Sequence, residues 1–291
     1  MKDFATYLST LPRSPLTEAA KSLYESTHTL RAKQVYDYQS KLDHAIDQWL
    51  HSIYFDHKRV VPAEVCLDID KDLKLLMEFH EPTYSGGAWY DEDTNTVCIS
   101  MGPLIRAVAN DDEDIFCFGR DDALNLADKI DQNINSPLSL SLEEFTSLDD
   151  SYDSDLFGKC MRHELTHHVQ NLDDHPNKFD FVGQLKKLNI DDALDDVYKY
   201  HDIYPWEIDA GVHERIVDII KQIENATPTE MAKQVFDILM SECRQHNINN
   251  TELIKQCWDT AVSLTRAVYL ARRDGHLDPH EILDNINQYA D

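Results

Sequence analysis

The chain has 291 residues, 42% of them hydrophobic, enough to bury a sizeable core without disulfides. Eight glycines and ten prolines exclude a loop-dominated or low-complexity chain. With 54 acidic residues against 27 Lys and Arg, the formal net charge of −27 argues against nucleic acid or an anionic membrane as a partner. The acids are scattered rather than gathered in a tail, so solubility is their first reading and a basic partner the second.

Residues 16–54 carry apolar positions near helical spacing, among them Leu23, Leu30, Val35, Leu42, Ile46 and Leu50, and predict helix. From Val60 the texture changes to short, partly β-branched runs, VVPAEVCLDI and LKLLMEF. GGAWY and TVCIS then flank the polar stretch Asp91–Asn95. These runs predict two or three strands ending in a hairpin with a five-residue loop. Residues 110–155 are acidic and irregular, with short helical pieces, and read as a mobile insert at about 104–152. Within it, Ser141 and Glu144 fit a capping box. From Asp155 onward the pattern is nearly all helix. Thr227-Pro228 with Glu230, and Asp278-Pro279 with Glu281, mark two helix starts.

Strands are grouped in sequence rather than alternating with helices. That predicts an α+β fold, mostly helical with a small antiparallel sheet. The expected division is a helical segment at 1–58, a core at 59–225 carrying the acidic insert, and a helical segment at 226–291. The opening MKDFATYLSTLPRSPL lacks the continuous apolar stretch of a signal peptide. No apolar run is long enough to span a membrane. The cysteines at 66, 98, 117, 160, 243 and 257 show no C-x-x-C spacing. Reduced thiols in a cytoplasm, a host cell's included, are the expectation.

The chemistry-bearing stretch is CMRHELTHHVQNL. His163-Glu164-Leu165-Thr166-His167 is an H-E-x-x-H string. On a helix the two histidines stand about 40° apart around the axis and one turn apart along it. Both imidazoles then reach one metal ion at about 2.0–2.1 Å. Glu164 lies about 60° beyond His167 on the same side, near enough to take a proton from a metal-activated water and too offset to join as a ligand. Phe157, Cys160, Met161, Leu165, Val169 and Leu172 supply apolar flanks, and Ser154 or Asp155 caps the start. The competing reading is two surface histidines in chance spacing.

A catalytic zinc needs a third protein ligand. Asp173 has the spacing H-E-x-x-H-x-x-G-x-x-D, but Gln170 stands where that pattern needs a glycine to turn the chain. Tyr204-Pro205-Trp206-Glu207-Ile208-Asp209-Ala210 offers two more candidates. Pro205 suits a first helical position, and Glu207 then falls where the helix dipole favours an anion. Asp209 points about 200° away from it, so only one of the two can face the metal. Glu207 is the favoured ligand, with Asp209 the alternative. Glu214, two turns on, is a candidate partner behind a histidine.

HELTHHVQ followed by YPWEIDA resembles the gluzincin type of zincin metallopeptidase. It is similar to compact bacterial and phage zincin-like domains with a signature of roughly H-E-L-x-H-H-x-Q … P-x-E-I-E-A. The likeness covers about 60 of the 291 residues, plus a strand pair upstream, and Asp209 stands where the signature often has Glu. The resemblance implies a zincin-like core, Zn²⁺ on His163, His167 and Glu207, and Glu164 as general base. It also implies hydrolysis of a peptide or protein substrate, bound as an extended strand along GGAWY or TVCIS.

Tyr200, His201, Tyr204 and His213 are candidate oxyanion donors. His168 reads as a group supporting the metal ligands or as plain surface. Asp91, Asp93 and Asn95, like Asp68, Asp70 and Asp72, have calcium-loop spacing without its glycine and closing glutamate, and read as polar turns. The alternative function is a non-enzymatic zincin-like interaction or regulatory protein with an acidic surface. Intact Glu164 favours the enzyme, since a structural site needs no such carboxylate.

Overall fold

Val35, Leu42, Ile46, Leu50 and Ile53 recur at helical spacing, and all five are buried along the first helix, α1 (Ala32–Phe55). The computed structural model describes residues 32–55, 59–82, 87–172, 205–223, 226–245 and 251–285, so the expected helix start at residue 16 lies outside it. The chain forms two compact units, residues 37–173 and residues 1–36 with 174–291. These cuts differ from the 58/59 and 225/226 boundaries suggested by texture, because texture follows local composition and compactness follows long-range contact.

In the unit of residues 37–173, the four-stranded sheet contains β2 (Glu64–Asp70), β3 (Leu73–Glu78), β4 (Ala88–Asp91) and β5 (Thr96–Ser100) in the order β2–β3–β5–β4. β1 (Val60–Val61) pairs instead with β6 (Leu138–Ser139) in a separate ladder. β2–β3 and β4–β5 are antiparallel, the latter being the expected hairpin, with the loop at Glu92–Asn95. β3 and β5 run parallel, with Leu75 opposite Val97 and Met77 opposite Ile99. The sheet is therefore mixed rather than antiparallel throughout. Alternation along a strand predicts the strand but not its neighbour. Leu73, Leu75, Met77, Val97 and Ile99 are all buried, and Phe79 beyond β3 meets Trp49 of α1 at a ring-centroid distance of 5.8 Å.

The stretch expected as a mobile acidic insert is instead a packed helical layer. It comprises α2 (Met101–Asp111), a 3₁₀ turn (Glu113–Ile115), α3 (Arg120–Asp131) and α4 (Leu142–Tyr152). Asp111, Asp121, Asp128 and Glu143 are among its exposed acids, while Leu104, Ile105, Val108, Leu126, Ile130, Phe145 and Leu148 are buried. A Cβ at Gly102 would stand 1.8 Å from Asp131 Oδ1 and 3.2 Å from the Ala127 carbonyl oxygen, so a side chain there requires the Asp131 carboxylate to move and α3 to give slightly. The capping box is present: Glu144 N–H donates to Ser141 Oγ at 3.1 Å, and Ser141 N–H donates to Glu144 at 2.8 Å. α5 (Asp155–Leu172) carries the H-E-x-x-H string, and Ser154 Oγ caps it by accepting from Phe157 N–H at 3.1 Å.

In the other unit, the described helices are α6 (Pro205–Glu214), α7 (Ile216–Gln222), α8 (Pro228–Gln245), α9 (Thr251–Arg273) and α10 (Pro279–Asn285). Their core is apolar, built from Val212, Ile219, Ile220, Val235, Leu264 and Val268 with their neighbours. Both predicted starts hold: Thr227 N–H donates to Glu230 at 2.8 Å, and Glu281 N–H donates to Asp278 at 3.4 Å. Among the described residues no helix is long and apolar enough to cross a membrane, and Cys66, Cys98, Cys117, Cys160 and Cys257 form no disulfide.

Candidate metal centre

α5 is buried for a physical reason visible in its spacing. Phe157, Met161, Leu165 and Val169 fall four residues apart and form one buried stripe. Leu172, expected to join them, is 51% exposed. The helix also buries Arg162, Thr166, His168 and Gln170, which is unusual for residues of their polarity. His163 and His167 are half-buried, with ring centroids 5.0 Å apart and planes crossed at 77°. The side-by-side placement expected from helical geometry is therefore present. His167 Nδ1 lies 3.0 Å from Gln170 Oε1.

Glu207 sits in the first turn of α6 and is 7% exposed, which excludes a solvated first-turn acid. One donor atom each from His163, His167 and Glu207 lie within 4.8 Å of one another. Among the described residues no other trio of His, Cys, Asp or Glu does so. Two imidazole nitrogens and a carboxylate oxygen form a donor set that suits Zn²⁺ with one position left open. Asp173, Tyr200, His201 and Tyr204 lie outside the described residues, as does the side chain of Asp209. His213 is buried near the end of α6.

Glu164 is half-buried. Its charge reaches the sheet: the Cys98 thiol of β5 is pushed up to about 12, first by burial and then by the carboxylates of Asp91, Glu78 and Glu164. Cys98 is therefore a neutral thiol.

The sheet order separates the two strands considered for substrate. β5, the TVCIS strand, is interior and wholly buried, so it offers no edge. β4 is the edge strand, and it packs against α5. At its start Gly87 has φ +86°, a conformation that favours glycine, and its carbonyl accepts from Ser100 N–H at 2.8 Å. Gly86 lies outside the described residues.

A polar cluster joins β4 to α5. The Tyr90 hydroxyl donates to Asn95 Oδ1 at 2.7 Å and accepts from Asn171 Nδ2 at 3.1 Å. His168 Nδ1 lies 3.3 Å from the same hydroxyl, and Tyr38 of α1 meets the His168 ring edge-on at 4.8 Å. Burial pushes the Tyr90 phenol up to about 12, so it stays neutral. His168 is 0% exposed, which corrects its reading as plain surface. Tyr90 and Asn171 were not marked by any motif, and Asn95 was marked only within a calcium-like spacing. The available signal was the polar run HHVQN continuing an otherwise apolar helix.

Of the two calcium-like stretches, Asp91–Asn95 closes the hairpin as a polar turn, where Asp91 accepts from Asp93 N–H at 3.0 Å and from the Thr94 hydroxyl at 2.7 Å. Asp68 and Asp70 instead lie in β2, with only Asp72 in the turn that follows, and Asp70 pairs with Lys41. Comparisons of the chain with family models, with curated proteins and with solved structures find no match in any of the three.

Proposed function

We propose that the chain is a zinc-dependent metallopeptidase, with Zn²⁺ on His163, His167 and Glu207 and with Glu164 as general base. The observation that carries this reading is the convergence of one donor atom from each of those three residues within 4.8 Å, on an H-E-x-x-H helix. A zinc ion held by His163, His167 and Glu207 would supply Lewis acidity and make water more acidic there. Glu164, one residue after the first ligand, would take a proton from the attacking water on its carboxylate and later return it to the leaving amine. β4, the edge strand against α5, is the surface along which an extended peptide or protein substrate would add. Neither nucleic acid nor a membrane is expected as a partner of so acidic a chain.

The test is metal analysis and hydrolysis of a fluorescently labelled casein by wild type, His163→Ala and Glu164→Gln. Wild type should carry about one zinc per chain, and His163→Ala should lose both metal and hydrolysis. Glu164→Gln should keep the metal while hydrolysis drops about 10²–10⁴-fold. Equal metal content in wild type and His163→Ala overturns the site. The net charge of −27 favours one other reading, a regulatory protein that engages basic partners through its surface. Metal-independent binding to such a partner, lost as salt rises, with no difference between wild type and Glu164→Gln, would establish that reading instead.

A further inference from the structure

The residue that stands where the Asp173 spacing needs a glycine also faces a histidine. Gln170 lies one helical turn after His167, its side chain is buried, and its Oε1 is 3.0 Å from His167 Nδ1. An amide oxygen only accepts, so the hydrogen of this bond sits on Nδ1 of the imidazole. A neutral imidazole carries one N–H, so Nε2 is left as a bare lone pair. Nε2 is then the nitrogen able to bind a metal.

We infer that Gln170 is a positioning residue that fixes His167 as the Nδ1–H tautomer and turns Nε2 toward the metal position. Burial supports the assignment, because a buried amide oxygen deprived of its donor is costly and the side chain is held to its partner. The spacing supports it as well: residues three apart on a helix are neighbours, so α5 itself sets the distance. In metal centres generally, a ligating histidine donates its other N–H to such an acceptor, which fixes ring orientation and raises ligand basicity. The inference rests on the zinc reading for its metal-binding arm, and the tautomer arm stands without it.

The experiment has two readouts, neither of them catalysis. The first is long-range ¹H–¹⁵N NMR of the metal-free chain, with the His167 signal identified by its loss in His167→Gln. The expected wild-type ring carries its proton on Nδ1. A ring protonated on Nε2 overturns the inference, since that is what the opposite amide orientation would impose. The second is competition for Zn²⁺ against a chromophoric chelator. Gln170→Met keeps the volume and removes the acceptor, and should weaken Zn²⁺ binding about 10–100-fold and release the tautomer. Gln170→Glu restores an acceptor and should bind within a few fold of wild type. Gln170→Met with wild-type affinity and an unchanged His167 tautomer also overturns the inference. A wild type that binds no Zn²⁺ brings down the metal centre, while the tautomer signal still decides the role of Gln170. That signal is read on the wild type, and His167→Gln serves only to assign it, with the other histidine signals unchanged showing that the variant folds.

Discussion

α5 and α9 are both long helices with continuous buried stripes, yet what they bury differs. α9 buries Cys257, Ala261, Val262, Leu264, Ala267, Val268 and Ala271, with Thr265 the one buried polar residue among its described side chains. α5 buries the apolar set Phe157, Met161, Leu165 and Val169, and adds Arg162, Thr166, His168 and Gln170. Apolar burial is favourable wherever it packs, whereas each buried polar atom needs a partner to break even. In α5 those partners are specific. The Thr166 hydroxyl donates to the Arg162 carbonyl at 2.7 Å, His168 meets Tyr90, and Gln170 meets His167. Partners of this kind fix the orientation of the side chains that make them, which apolar packing alone does not.

Three substitutions break or sharpen that contrast, beyond those that test the metal itself. Leu264→Ala in α9 has the largest expected effect on stability, about 2–5 kcal/mol in a denaturant titration. Because α9 is cohesive only, the zinc bound per folded molecule should stay unchanged. A loss of metal from the folded variant would show that α9 does more than pack. Tyr90→Phe comes next, costing about 0.5–1.5 kcal/mol, since Asn95 and Asn171 still bond each other at 3.1 Å when the hydroxyl is gone. Here the effect on hydrolysis should exceed the effect on stability. A variant that loses stability alone would assign the cluster to cohesion.

Asp43→Asn is the smallest. Partial desolvation raises the Asp43 carboxyl from its ordinary 3.8 to about 6, and the charge of Asp47 adds to the rise. A raised carboxyl favours the protonated folded state, so this group's contribution is full below about pH 3.8 and is lost as pH rises through about 6. Asp43→Asn should therefore stabilise the chain at pH 8 and leave it unchanged at pH 3.5, as thermal melts would read. The side chain still meets solvent, which holds the gain under about 1 kcal/mol. A gain as large at pH 3.5 as at pH 8 would assign the effect to something other than charge.

What the sequence made legible was local. The capping pairs Ser141–Glu144 and Thr227–Glu230 lie three residues apart and form as expected, and the H-E-x-x-H spacing puts His163 and His167 side by side because helical periodicity leaves little choice. What it hid depended on distant partners. The stretch from Leu104 to Tyr152 reads as acidic on average, and only contact with the sheet and with α5 reveals that its apolar residues line up on buried faces. TVCIS and GGAWY look alike as edge candidates until β5 is found beside β3. Asn95 and Asn171 lie 76 residues apart, so no window along the chain could join them. Glu207 stood out over Asp209 through its first-turn position; it is buried, while the Asp209 side chain lies outside the described residues.

The parallel ladder between β3 and β5 also imposes an order of assembly. β2–β3 and β4–β5 are ribbons closed by short connections, and such ribbons form in about 1–10 μs. The seam between them, Leu75 to Val97 and Met77 to Ile99, has to wait until two finished ribbons meet. Before then β4 belongs to a lone two-stranded ribbon, which is only marginally stable in water. Everything hung on β4, the Tyr90 hydroxyl included, therefore reaches its place after the seam has closed. The expected outcome in refolding is that signals from the surroundings of α5, such as the Tyr90 environment, lag the far-UV helix signal.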